Sequence, residues 1–293
     1  MTPLLAATGL FKSFGVPGRL GRRTRMMAVN GASLTIGAGE TVGLVGESGS
    51  GKSTLGRLLL RLLDPDDGRI VYDGQDITHL SDRAMRPLRR DLQAIFQDPG
   101  SALNPRLTAG AQVAEPLLIH EPNETRGRRH ERVAELFRQV GLDPSMMLRH
   151  PDGFSGGQRQ RLCIARALAT RPRLLIADEP ITALDLSIQA QVLSLLESAR
   201  AASGLTMLFI SHDLAVVRYL CQRVVVMFRG QVIEHGPTEA VFTTPSHPYT
   251  QRLVASVFGE NGEARRDPFL ASPRQEGCTE YQVGADHFVL ANF

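Results

Sequence analysis

Apolar and polar positions change period several times along this chain, and each change marks an element. Residues 41–45, Thr-Val-Gly-Leu-Val, form a continuous apolar run that predicts a buried strand. Residues 55–60 after it predict a helix. Residues 68–74 predict a short strand bounded by turn residues, and residues 92–97 another. From 98 to about 153, helical stretches such as 131–140 alternate with Pro- and Gly-containing loops, and β-branched runs are scarce. Alternation then resumes with helix 158–169, strand 174–177, helix 188–202 and strand 205–210. Apolar strands alternating with helices predict an α/β fold whose mostly parallel sheet is covered on both faces. The first 39 residues read as short strands and turns. Beyond Thr243 the chain turns polar and irregular, with Pro245, Pro248, Pro268 and Pro273. That tail is expected to pack on the core or on a partner. No internal repeat is present.

The most informative text lies between the first buried strand and its helix. Gly46-Glu47-Ser48-Gly49-Ser50-Gly51-Lys52-Ser53-Thr54 fits the P-loop pattern, in the strand–loop–helix context that the pattern needs. Glycines let the backbone curl so that its N–H groups face phosphate oxygens. The helix start adds about half a positive charge. Lys52 is expected to reach the β- and γ-phosphates, and the Ser53 hydroxyl to sit on Mg²⁺. Lys12 and Lys52 are the only lysines among 33 basic residues. A chain that uses Arg almost everywhere keeps Lys where a compact charge on a flexible stem is needed.

A second apolar strand ends in two acids, Asp178-Glu179. Ligands of open parallel sheets bind at the carboxyl ends of strands. Asp178 is expected to hold Mg²⁺, and Glu179 to orient or deprotonate an attacking water. Phe154-Ser155-Gly156-Gly157-Gln158 opens an amphipathic helix that Ser155 is expected to cap. Its glycines expose N–H groups, which makes a second anion-binding helix start.

With these pieces in order, the chain resembles the ATP-binding subunit of an ABC importer of the oligopeptide/dipeptide type. Residues 154–158 resemble the ABC signature, with Phe154 where Leu is commoner. Gln97 resembles the Q-loop glutamine, which senses Mg²⁺ and the permease. Ala183-Leu184-Asp185 resembles the D-loop, with Thr182 in place of the usual Ser. His212 resembles the switch histidine that contacts the γ-phosphate, and Phe14 the aromatic that stacks on adenine. Phe96-Gln97-Asp98-Pro99, Ser101-Ala102-Leu103-Asn104-Pro105-Arg106 and Ser246-His247-Pro248-Tyr249-Thr250 look like the peptide-importer versions of their regions.

The resemblance implies a P-loop NTPase core over 1–97 and 154–242, with a small antiparallel β subdomain. It also implies a helical subdomain over 98–153 that docks a permease, and a peptide-importer extension over 243–293. It implies ATP and Mg²⁺ as ligands. Its implied partners are membrane permease subunits, a second ATP-binding subunit and, indirectly, an extracytoplasmic solute-binding protein. The pairing is expected to be a heterodimer, with a homodimer as the other option, closed head to tail so that one chain's signature faces the other's P-loop. The alternative is a non-transport ABC ATPase acting on nucleic acid or ribosomes. Such proteins usually carry long coiled-coil, zinc or tandem-cassette insertions, and none is visible.

Composition changes little of this. A net charge of +3 is small for 293 residues, and no dense basic tract interleaves with aromatics, so nucleic acid is not an expected partner. The basic stretch from Arg19 to Arg25 reads as a solvated loop, with contact to anionic lipid or a partner as the other option. Cys163, Cys221 and Cys278 form no C-x-x-C pair, so neither zinc nor a disulfide framework is indicated. Many relatives of the peptide type carry a C-terminal cysteine cluster for an iron–sulfur centre. Cys278 stands alone in that region, so no cluster is expected. Apolar runs fall far short of the ~20 residues that span a bilayer. The expected location is the cytoplasmic face of the cell membrane, held there by partners.

Overall fold

The computed structural model describes residues 2–17, 23–182, 184–258 and 279–291. Arg19 and Arg22 of the basic stretch, Ala183, Pro268, Pro273 and Cys278 lie outside the described residues. The chain divides into two compact units, residues 1–79 with 208–293, and residues 80–207.

The first unit opens with β1 (Leu5–Pro17), β2 (Arg23–Ile36), β3 (Thr41–Val45), α1 (Lys52–Leu59), β4 (Asp67–Tyr72) and β5 (Gln75–Asp76). The second holds α2 (Asp82–Leu88), β6 (Leu92–Ile95), α3 (Pro99–Ala102), α4 (Ala109–His120), α5 (Arg126–Gln139), α6 (Gly156–Leu168), β7 (Leu174–Asp178) and α7 (Leu186–Ser203). Strand β8 (Thr206–Ile210) straddles the division. The first unit then resumes with α8 (Leu214–Leu220), β9 (Arg223–Phe228), β10 (Gln231–Pro237), α9 (Thr238–Thr243), α10 (Pro248–Phe258), β11 (Thr279–Gly284) and β12 (His287–Ala291).

Within the first unit, a four-stranded sheet runs in the order β2-β1-β4-β5 and its neighbouring strands pair antiparallel. The P-loop strand β3 belongs to another sheet and pairs in parallel with β9, Gly43 opposite Val224. Beyond β9 come β10 and then the hairpin β11–β12, all antiparallel. Every residue of β3 is buried, as the apolar run predicts. In the second unit β6 and β7 pair in parallel, Leu92 opposite Leu174, and β7 is buried throughout. Phe137, Leu162, Ile164 and Leu196 of the same unit are all essentially inaccessible to water.

Two expectations need correction. Between Leu4 and about Gly39 the described residues form two long strands of 13 and 14 residues, not short strands and turns. Register shifts after Ala7, Leu10 and Lys12, with Gly9 at φ 57°, break the alternation that would have revealed them. The described residues of the tail are also more regular than its composition suggests. Pro248 occupies the first position of α10, where its missing N–H costs nothing. The hairpin β11–β12 joins β10 through Glu234 opposite Val289. Among the described residues no helix is long and apolar enough to cross a membrane.

Candidate nucleotide-binding and hydrolysis site

In the first unit the loop between β3 and α1 is built around backbone. Gly46 has φ 147°, and a Cβ there would lie 2.1 Å from the Met227 carbonyl oxygen. No other residue fits without moving β9. Gly51 stands at the cap of α1 with φ 105°, and no side chain caps that helix start. Lys52 is 5% exposed, and its ammonium donates to Gly46 O at 2.7 Å and Glu47 O at 2.8 Å. A buried cation needs such acceptors. The cradle fits a polyphosphate: glycines where a Cβ would collide, an uncapped helix start and a positive charge.

Phe14 lies in β1 opposite Met26, with Lys12 Nζ 6.0 Å from its ring centroid. Lys12 is held in turn by Asp64 O at 2.7 Å and Asp66 Oδ1 at 2.9 Å. His212 follows β8 and is exposed. The residue before it, Ser211, donates its N–H to Leu44 O at 3.2 Å, which brings this turn beside β3. Asp213 accepts the Ala215 and Val216 N–H groups and starts α8.

The second unit carries the other candidate residues. Asp178 closes β7 and is 6% exposed. Glu179 leaves the strand with φ 48°, in the left-handed region that non-glycine residues adopt at a cost. Its Oε2 accepts Gln97 Nε2 at 3.0 Å and Thr182 Oγ1 at 3.1 Å. Two donors therefore aim this carboxylate. Gln97 itself is exposed, just ahead of α3, which Asp98 caps through the Gly100 N–H.

Ser155 caps α6 as expected, and more completely. Its hydroxyl accepts the Gln158 N–H at 3.3 Å while Gln158 Oε1 accepts the Ser155 N–H at 3.0 Å, a reciprocal capping box. Ser155 and Gly156 are exposed, and buried Phe154 anchors the turn. Gly157 faces Ile188 of α7, where a Cβ would come within 2.8 Å of Cγ2. Asp185 caps α7 by position and is exposed.

Lys52, Ser53, Phe14 and His212 thus belong to one unit. Gln97, Asp178, Glu179, Asp185 and residues 154–158 belong to the other. Sequence reasoning missed two contacts. Thr182 as a partner of Glu179 was signalled only by its three-residue spacing in a turn. Tyr249, whose hydroxyl touches the P-loop backbone, had no local signal at all. As for Mg²⁺, the Ser53 hydroxyl, the Asp178 carboxylate and the Gln97 amide are all oxygen donors, the set this hard cation prefers.

Comparison with known proteins shows the family. A family model described as "ABC transporter" matches residues 29–182. The glutathione import ATP-binding protein GsiA of Pectobacterium atrosepticum is 49% identical over 87% of this chain and 41% of its own length. The chain therefore spans about two-fifths of that relative. A Brucella ovis protein provisionally named a peptide import ATP-binding protein is 47% identical over 91% of this chain and 82% of its own length. Among solved structures, the dimeric ATP-binding cassette MJ0796 in a post-hydrolysis state with ADP and Pi is 30% identical with TM-score 0.73. It covers 80% of this chain and 98% of that one. CbiO1 of Clostridium perfringens, part of the ABC transporter complex cbiONQ, is 26% identical with TM-score 0.70. It covers 87% and 96%.

Proposed function

Because this chain belongs to the ABC transporter family, we propose that it is an ATP-hydrolysing subunit that energises import of peptides or a related small solute. Glutathione, the cargo in the name of one set of relatives, is such a peptide. The observation that carries the reading is the Glu179 carboxylate, aimed by Gln97 and Thr182 at the end of the buried strand β7.

Lys52 binds the β- and γ-phosphates, and the N–H groups of residues 46–54 cradle them. Phe14 stacks on adenine. Mg²⁺, when bound, neutralises charge on the phosphate oxygens, and Ser53, Asp178 and Gln97 are the residues that hold it. Glu179 takes a proton from the attacking water, and His212 positions the γ-phosphate. Residues 154–158 and Asp185 contact the nucleotide of a second ATP-binding subunit. Nucleotide bound between two such chains stabilises the dimer, and hydrolysis releases it.

Residues 98–153 dock membrane permease subunits, and Gln97 relays site occupancy to them. That places the chain at the cytoplasmic face of the membrane. A second, different ATPase chain and, indirectly, a solute-binding protein complete the importer.

The test is affinity purification of tagged Glu179→Gln protein from detergent-solubilised native membranes with Mg-ATP, followed by mass spectrometry. Recovery of multi-spanning permeases and a second ATPase is the expected result. Recovery of ribosomal or DNA-repair proteins instead would remove transport from the reading.

A further inference from the structure

The C-terminal helix α10 reaches the phosphate-binding loop. Tyr249 is 2% exposed, and its Oη accepts the Glu47 backbone N–H at 2.9 Å. Its ring packs 4.4 Å from that of Phe228, centroid to centroid. The Glu47 N–H belongs to the peptide unit that joins Gly46 to Glu47. The carbonyl of that same unit, Gly46 O, accepts Lys52 Nζ at 2.7 Å. A peptide unit is planar, so its N–H and C=O turn together. Holding the N–H on Tyr249 therefore fixes the direction in which the carbonyl meets Lys52. Gly46 supplies no side chain to steer this plane, and its φ of 147° is one that glycine alone adopts freely.

Tyr249 is itself anchored. Glu234 of β10 is fully buried, and its Oε1 accepts the Ser246 N–H and His287 Nε2, each at 2.7 Å. Its Oε2 accepts the His247 N–H at 3.0 Å. His247 Nδ1 then accepts the Tyr249 N–H at 3.0 Å. One carboxylate thus ties the turn into α10 and the strand β12 to the sheet that carries β9. Buried polar networks satisfied this fully hold a single geometry.

The geometry points to Tyr249 as a positioning residue for Lys52, acting through the Gly46–Glu47 peptide and anchored by Glu234. The inference rests on the proposal that the P-loop binds ATP. Without the hydroxyl the peptide plane loses its constraint, and Lys52 no longer sits ready for phosphate. The ring of Phe at this position keeps the packing on Phe228, so the fold persists.

Two measurements on the purified full chain test this. Isothermal titration with a non-hydrolysable ATP analogue and Mg²⁺ compares wild type, Tyr249→Phe and Lys52→Ala. Selective ¹⁵N-lysine labelling gives two side-chain Nζ signals, one for each lysine. Tyr249→Phe is expected to raise Kd about fivefold, as loss of one hydrogen bond does. It is also expected to shift the Lys52 signal, leave that of Lys12 in place, and keep the unfolding midpoint near wild type. An unchanged Kd, or an unmoved Lys52 signal, would overturn the inference while leaving ATP binding intact. If the wild type binds no nucleotide, the ATPase reading falls and this inference falls with it.

Discussion

The side-chain amide of Gln97 donates to the carboxylate of Glu179 across 3.0 Å. An amide has two ends. With Nε2 committed to Glu179, Oε1 is the end left to face a metal. Under the roles proposed for Gln97 and Glu179, metal occupancy and the aim of this carboxylate are coupled through one rigid group. Gln97→Glu replaces that donor with a second carboxylate about 3 Å from Glu179, and like charges at that range oppose each other. Steady-state phosphate release is expected to fall further in Gln97→Glu than in Gln97→Ala. Equal rates in the two variants would separate Gln97 from Glu179.

Glu179→Gln keeps the shape and an acceptor oxygen for Gln97 but removes the carboxylate proposed as the base. Turnover is expected to drop by about 10²–10⁴ while the ATP-analogue Kd stays within about threefold. Normal turnover would take the proton-accepting role away from Glu179.

Gly46→Ala would drive a Cβ to 2.1 Å from the Met227 carbonyl at a φ that L residues rarely adopt. Backbone must move, and β9 lies directly against the loop. The expected cost is about 2–4 kcal/mol in urea unfolding at constant m-value. A cost near zero would mean the loop refolds locally.

Asp66 offers a pH prediction. Hydrogen bonds from Lys12 and then from Ser13 hold its carboxyl down to about 2, from 3.8. A depressed folded pKa means the ionised form is favoured by folding. The stabilisation is therefore present above pH 3.8 and lost as pH falls through about 2. Asp66 is part-exposed, so the effect is modest. A carboxyl ¹³C titration of Lys12→Met is expected to show the Asp66 midpoint rising. No movement would assign the shift to Ser13.

Burial pushes the Cys163 thiol up to about 11. At pH 8 roughly one molecule in a thousand carries the thiolate. Maleimide is expected to leave the Cys163 peptide unmodified in the native state and to label it fully in urea, as read by mass spectrometry. Rapid native labelling would reveal opening of α6.

The parallel strands and the P-loop were legible because each feature is local. A buried parallel strand is a continuous apolar run, and a phosphate loop is written in consecutive residues. The signature cap at Ser155 and Gln158 is equally local. Strands β1 and β2 hid behind bulges, which shift the alternating pattern from face to face. The order of the tail hid for a different reason. Glu234 and His287 meet across 53 positions, and Tyr249 meets Glu47 across 202. Contacts that distant leave no period to read. Thr182 lay between these extremes, visible as a turn residue but silent about which carboxylate it serves.

Amine chemistry has few targets on this molecule. Lys52 sits beneath the loop carbonyls, and Lys12 is tied to Asp64 and Asp66. A protease that cuts after lysine can divide the unfolded chain into no more than three fragments. With Lys52 buried in the native chain, cutting at that site is expected to require local unfolding of the P-loop. The second cut therefore works as a clock, and any ligand that steadies the loop slows it.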